Sequence, residues 1–215
     1  FNIITVTAFS TAPKGLQSLT MPHSVTEYYQ KQASEKPNHS AFFSHAPDFN
    51  ATLTWKEIWD IAQNMALHIQ NHGLSPNEHV GLLGPSCAEW ELTQLSTFLA
   101  GGVVVGLDPH DSIASYEFII AKCGIRRVFI NGEELFNKLF PLVDKYHLTI
   151  ERMDIRQFKS TPVAKIFPAP EPEKIATILF TSGTNFEPKG IQYTHHQIVL
   201  TVENILQAFP EIPPA

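Results

Sequence analysis

A parallel, doubly wound α/β sheet is the fold class this sequence predicts, and three observations predict it. Short, almost wholly apolar runs recur at "HVGLLG" (79–84), "VVVGLD" (103–108) and "RRVFIN" (126–131). Each is followed at once by Pro or Gly, the punctuation of a strand that ends in a loop. Helical patterns with capping signals lie between the runs. Strands buried on both faces read as continuous apolar runs, and strand–helix–strand repetition implies parallel pairing through right-handed crossovers.

The helices can be placed in order. Ser24-Val-Thr-Glu27 is a capping box, and the helix it opens should end before Pro37. Thr54-Trp-Lys-Glu57 is a second box. Ile58, Ile61, Ala62, Met65, Ala66 and Ile69 follow at helical spacing, and Gly73 supplies the C-terminal stop. Ser86-Cys-Ala-Glu89 reads as a third box, leading to Trp90, Leu92, Leu95, Phe98 and Leu99 before Gly101-Gly102. A fourth helix should start near Ser112 and end at Gly124. Each cap is worth about 0.5–2 kcal/mol, enough to fix a boundary. Trp55, Trp59 and Trp90 fall on these helices as packing residues.

The stretch "STPVAKIFPAPEPEK" (160–174) holds four prolines and no periodic pattern, so it predicts an extended connector. After it come a strand "KIATILF", a polar loop "TSGTNFEPKG", a second strand "GIQYT", and a helix from His195 to about Phe209, stopped by Pro210. The predicted organisation is therefore an N-terminal extension (1–21), an α/β subdomain (22–159), the connector (160–174) and a strand–loop–strand–helix unit (175–215).

Composition bounds the function. The chain of 215 residues has a net charge of -6 without blocks of like charge, which argues against a nucleic-acid partner, since duplex binding needs a basic face. No run approaches the roughly 18 apolar residues of a membrane span, although peripheral membrane contact stays open. The first residues lack the basic region of a signal peptide. Cys87 and Cys123 are far apart and in no metal spacing. They read as buried, unreactive thiols on helices, and a cytoplasmic location is the expectation.

The loop carries the chemistry. A strand delivering "TSGTNFEPKG" to solvent offers successive backbone N–H groups, three hydroxyls and one ammonium. N–H groups in a tight glycine turn form an anion nest, and Lys189 could supply the countercharge of a polyphosphate. The stretch is neither GxxxxGK[ST] nor GxGxxG. On composition alone, a phosphate loop and an ordinary polar hairpin both remain open.

The wording of "FTSGTNFEPKGIQYTH" (180–195) resembles the signature loop of the adenylate-forming ligases: acyl-CoA synthetases, luciferases and peptide-synthetase adenylation domains. Phe180, Thr181, Ser182, Gly183, Thr184, Pro188, Lys189 and Gly190 match that pattern, as do Thr194 and His195 beyond it. Residues 52–112 and 24–43 resemble the same family's N-terminal stretch, and "AEWEL" with "GLDPHDS" is most similar to its fatty acyl-CoA synthetase branch. The resemblance implies the large N-terminal domain of such an enzyme, of which this chain is the first part. It implies ATP and Mg²⁺ for forming an acyl-adenylate, coenzyme A as acceptor, and a carboxylic acid, a fatty acid, as substrate.

By the same resemblance Thr181, Ser182, Gly183, Thr184 and Asn185 would hold the β- and γ-phosphates, with Lys189 at the loop's edge. Asn185 stands where the family prefers Thr, and Phe186 where it prefers Gly. If that backbone needs positive φ, Phe186 costs roughly 1–2 kcal/mol; the family's fatty acyl-AMP ligase branch also carries a bulky residue there. Thr194 fits a helix N-cap. His195 either lines the acyl side of the site or packs at the helix start. His195 and His196 as a metal pair are disfavoured, because adjacent helical residues point apart. The family's remaining ATP-contacting motifs and catalytic lysine lie downstream of the residues present, so no catalytic residue is assigned and no turnover is expected from this stretch alone. Two other classes fit the same residues: a non-catalytic binding or regulatory module with the ligase fold, and an amino-acid-activating domain of a peptide synthetase.

Overall fold

The computed structural model describes residues 3–5, 22–46, 49–159, 165–181 and 188–209. In chain order the elements are β1 (Ile3–Thr5), α1 (Val25–Glu35), β2 (Ser40–Ala46), β3 (Phe49–Thr54), α2 (Trp55–Asn71), β4 (His79–Leu83), α3 (Ala88–Ala100), β5 (Val103–Leu107) and α4 (Ile113–Cys123). They continue as β6 (Arg127–Ile130), α5 (Glu133–Leu139), α6 (Val143–Tyr146), β7 (Thr149–Arg152), β8 (Ile175–Thr181), β9 (Lys189–Thr194) and α7 (His195–Ala208).

Seven strands form one sheet in the order β1-β9-β8-β5-β4-β6-β7. All neighbours in it are parallel except β8 and β9. From β4 the chain crosses to β5 on one side, then passes back over β4 to β6 on the other. Right-handed crossovers in opposite directions place their helices on opposite faces, and alternate strand residues record this. Val80, Leu82, Val104 and Phe129 pack with Ile58, Met65, Leu92 and Leu95 from α2 and α3. Val103, Val105, Val128 and Ile130 pack with Tyr116, Ile119 and Ile120 from α4, and with Leu139 at the end of α5. The sheet is doubly wound, as expected.

Helix boundaries follow local hydrogen bonding. Ser24 Oγ accepts from the Glu27 backbone at 3.3 Å while Glu27 Oε2 accepts from the Ser24 backbone at 3.1 Å. Thr54 and Glu57 repeat the exchange. Ser112 Oγ accepts from Ser115 N at the start of α4. Gly101 ends α3 at φ 92°, a conformation that disfavours any residue with a Cβ. Along α2, Ile58, Ile61, Met65 and Ile69 are fully buried, each contributing about 1.5–3 kcal/mol of transfer free energy. Trp55 is buried against Tyr29, with ring centroids 5.8 Å apart. Trp59 and Trp90 lie partly buried against the same core.

Two expectations need correction. The Ser86–Glu89 box does not form: α3 starts one residue later, with Cys87 as an N-cap that makes no side-chain capping bond. Glu89 is buried instead, and its carboxylate meets the Cys87 thiol. The cysteines are also only half-buried, Cys87 at that N-cap and Cys123 at the end of α4. Burial still pushes both thiols up, Cys123 to about 11, which leaves them protonated and unreactive at neutral pH.

The sequence reading missed the β2–β3 hairpin and the edge strand β7. Arg127 fastens β7: it is buried, pairs with Glu151 and donates to the His72 carbonyl at 2.6 Å. Beyond β7, Asn64 Nδ2 on α2 donates to the Phe158 carbonyl at 2.9 Å. Residues 165–171 form no regular element, and a turn precedes β8. The connector's residues 160–164, and Pro210 after α7, lie outside the described residues.

Candidate functional site

The C-terminal ends of β5, β4 and β6 share one edge of the sheet, the edge where doubly wound folds take ligands. β8 is parallel to β5 and brings its own C-terminus to that edge. Its last residue is Thr181, and β9 returns antiparallel from Lys189. Between them, the predicted site residues Ser182, Gly183, Thr184 and Asn185, with Phe186, lie outside the described residues.

The two predicted site residues that are placed, Thr181 and Lys189, are register partners across the strand pair, which sets their Cα atoms about 4.5–5.5 Å apart. Thr181 is exposed and Lys189 half-buried. A hydroxyl and an ammonium therefore flank the two stems of the loop.

The next pair inward explains why those stems hold. Phe180 is the partner of Gly190, and a Cβ at Gly190 would lie 3.1 Å from the Phe180 ring. That is tighter than most real contacts of a Cβ, so the aromatic and the glycine form one packing unit under the loop. The signature wording marks Phe180 and Gly190 as motif matches, and the strand register gives them their packing role.

Further down, Thr194 is the N-cap of α7: its Oγ1 accepts from Gln197 N at 3.2 Å, and Gln197 Oε1 accepts from Thr194 N at 2.9 Å. Thr194 pairs with Ile175 at the opposite end of β8 from Thr181. His195 therefore sits across the sheet from the loop. It is 2 % exposed and packs edge-to-face on Phe98 at 5.1 Å, which decides for packing at the helix start. Burial pushes its imidazole down to about 4. Asp108 and His110 build a turn, with Asp108 Oδ1 accepting from His110 N at 2.8 Å and the Asp108 carbonyl accepting from Tyr116. Among the described residues, no group of three or more His, Cys, Asp or Glu side chains could hold a metal ion, and no helix is long and apolar enough to cross a membrane.

Comparison with known proteins bears on the family and the fold. The family model described as AMP-binding enzyme matches residues 29–212. Among curated proteins, the phenyloxazoline synthase MbtB of Mycobacterium sp. (strain MCS) is 29 % identical over 188 residues, covering 82 % of this chain and 15 % of that protein. The long-chain-fatty-acid–CoA ligase ACSBG2 of Mus musculus is 23 % identical over 202 residues, covering 84 % of this chain and 30 % of that one. The crystal structure of VinN superposes with a TM-score of 0.77 at 20 % identity, over 87 % of this chain and 47 % of the other. The chain thus spans less than a third of the length of these two curated relatives.

Proposed function

The chain belongs to the AMP-binding enzyme family, and we propose that it supplies the triphosphate-holding part of an ATP-dependent ligase that activates a carboxylic acid as its adenylate. The observation that carries this reading is the Thr181–Lys189 pair at the ligand-binding edge of the sheet, inside the family-matched span. In the proposed reaction the acid attacks the α-phosphate of ATP, giving acyl-adenylate and pyrophosphate, and a thiol then takes the acyl group. The protein's task in the first step is to position the phosphates and neutralise their charge. Thr181 donates a hydrogen bond and Lys189 a point charge; Mg²⁺ would share the phosphate oxygens and offset the rest.

The finer proposal is a fatty acyl-CoA synthetase with coenzyme A as acceptor. It is supported by "AEWEL" and "GLDPHDS" and by the likeness to the long-chain-fatty-acid–CoA ligase. The likeness to the phenyloxazoline synthase and to gramicidin S synthase 2 of Aneurinibacillus migulanus, 25 % identical over 187 residues, supports a second reading, an amino-acid-activating domain.

Acid-dependent ATP–pyrophosphate exchange by the complete protein separates the two. The expected result is exchange with fatty acids of one length class and none with amino acids. Exchange with an amino acid alone establishes the second reading. No exchange with any acid, in folded protein with Mg²⁺, rejects both in favour of a non-catalytic module and makes Phe186→Gly the next variant.

A further inference from the structure

We infer that the C-terminal turn of α2 is a metal site, in which His68 and His72 hold a late first-row divalent cation of the Zn²⁺ kind. His68 lies in the last turn of α2 and His72 is its C-cap, so the two stand four residues apart on one helix face. Histidines at that spacing on a helix form the ligand pair of helical zinc sites. Here the rings are neighbours, with centroids 4.0 Å apart and planes 34° from parallel. His72 is exposed and His68 half-buried, so a cation can reach them from solvent.

Hydrogen bonding leaves each ring one nitrogen for a metal. His72 Nδ1 donates to the His68 carbonyl at 2.8 Å. A carbonyl only accepts, so the lone pair of the neutral ring is at Nε2. His68 Nε2 donates to Glu151 Oε2 at 3.0 Å. An ionised carboxylate likewise only accepts, which leaves the His68 lone pair at Nδ1. Metal-binding histidines are held in this way, with one nitrogen on the ion and the other N–H on a carboxylate or a backbone carbonyl. Glu151 is itself fixed by the buried Arg127, which also donates to the His72 carbonyl at 2.6 Å. One network across α2, β6 and β7 therefore orients both rings.

Charge and ligand type set the preference. The C-terminal end of a helix carries partial negative charge, which favours a cation. Arg127 is offset by its pairing with Glu151. Imidazole suits Zn²⁺, Cu²⁺ and Ni²⁺, whereas Mg²⁺ takes oxygen ligands. With two protein ligands, water would fill the remaining positions. The site is also separate from the nucleotide edge. His72 meets Arg127 at the start of β6, while Thr181 ends β8 at the C-terminal edge of the parallel strands. A bound ion would brace the end of α2 against the edge strand β7.

Zn²⁺ is the probe and Mg²⁺ the control, both on the complete protein. Calorimetry measures affinity, and the imidazole NMR signals of His68 and His72 report location. Zn²⁺ should move both sets of signals, and Mg²⁺ should leave them in place. His72→Ala, at an exposed position, should weaken Zn²⁺ binding at least about tenfold, the lower end of what losing even an outer partner of a metal site costs. Its thermal melt in chelator should match that of the parent. His110→Ala, an exposed histidine on another loop, should leave the affinity unchanged. Unmoved His68 and His72 signals, an equal response to Mg²⁺, or full affinity in His72→Ala would overturn the site.

Discussion

Thr181 and Lys189 are paired across β8 and β9, so the hydroxyl that ends one stem of the loop and the ammonium that starts the other are fixed by sheet register. Seven residues separate them in a sequence that composition alone would allow to be an ordinary turn. On the proposed function, their pairing at the C-terminal edge of the parallel strands would offer a phosphate two side-chain contacts of complementary kind.

Lys189→Gln should therefore weaken ATP binding by about tenfold to a hundredfold, since a hydrogen bond to a charged group is worth about 1.5–3 kcal/mol. Thermal stability should hardly change, because the ammonium is not part of the core. Calorimetric ATP titration beside a thermal melt checks both halves.

Gly190→Ala should destabilise the fold by about 1–3 kcal/mol, the cost of forcing a methyl into a filled site. The added carbon would meet the Phe180 ring at 3.1 Å. Phe180→Leu in the same chain should recover part of the loss, and a double-mutant cycle by urea denaturation measures the coupling.

Thr194→Ala should cost about 1 kcal/mol, the value of a helix N-cap. Thr194 both ends β9 and caps α7. Thr194→Ser retains the hydroxyl and should recover most of it in the same denaturation assay.

His195 makes stability depend on pH in a defined direction. Its folded value, about 4, lies below the ordinary 6.5, so the unfolded chain binds the proton more readily. The contribution is fully present above about pH 6.5 and falls as pH drops, levelling near pH 4, a loss on the order of 3 kcal/mol. His195→Gln should flatten the curve of unfolding free energy across that window.

The central sheet was legible because its signals are local. Ser24, Thr54 and Ser112 announce their helices through side-chain hydrogen bonds to residues three places on, and strands buried on both faces need apolar runs. The same rule misfired at Ser86, where the pattern fits a box but Glu89 is buried and Cys87 becomes the cap. β7 was hidden because a four-residue edge strand carries exposed, charged positions and depends on a long-range tie, Arg127 to Glu151. Of the site, the wording of the loop made the family readable. The packing of Phe180 on Gly190 was not, because cross-strand contact depends on register.

Titrating ATP with Mg²⁺ into isotope-labelled protein, while following backbone amide signals, tests the assignment of the nucleotide site most directly. The prediction is that signals from Thr181 through Gly190 move first and furthest, and that Lys189→Gln reduces the movement. Unmoved signals in that stretch, with perturbation confined to the Phe98–His195 end of the sheet or absent altogether, would contradict a triphosphate loop at this edge.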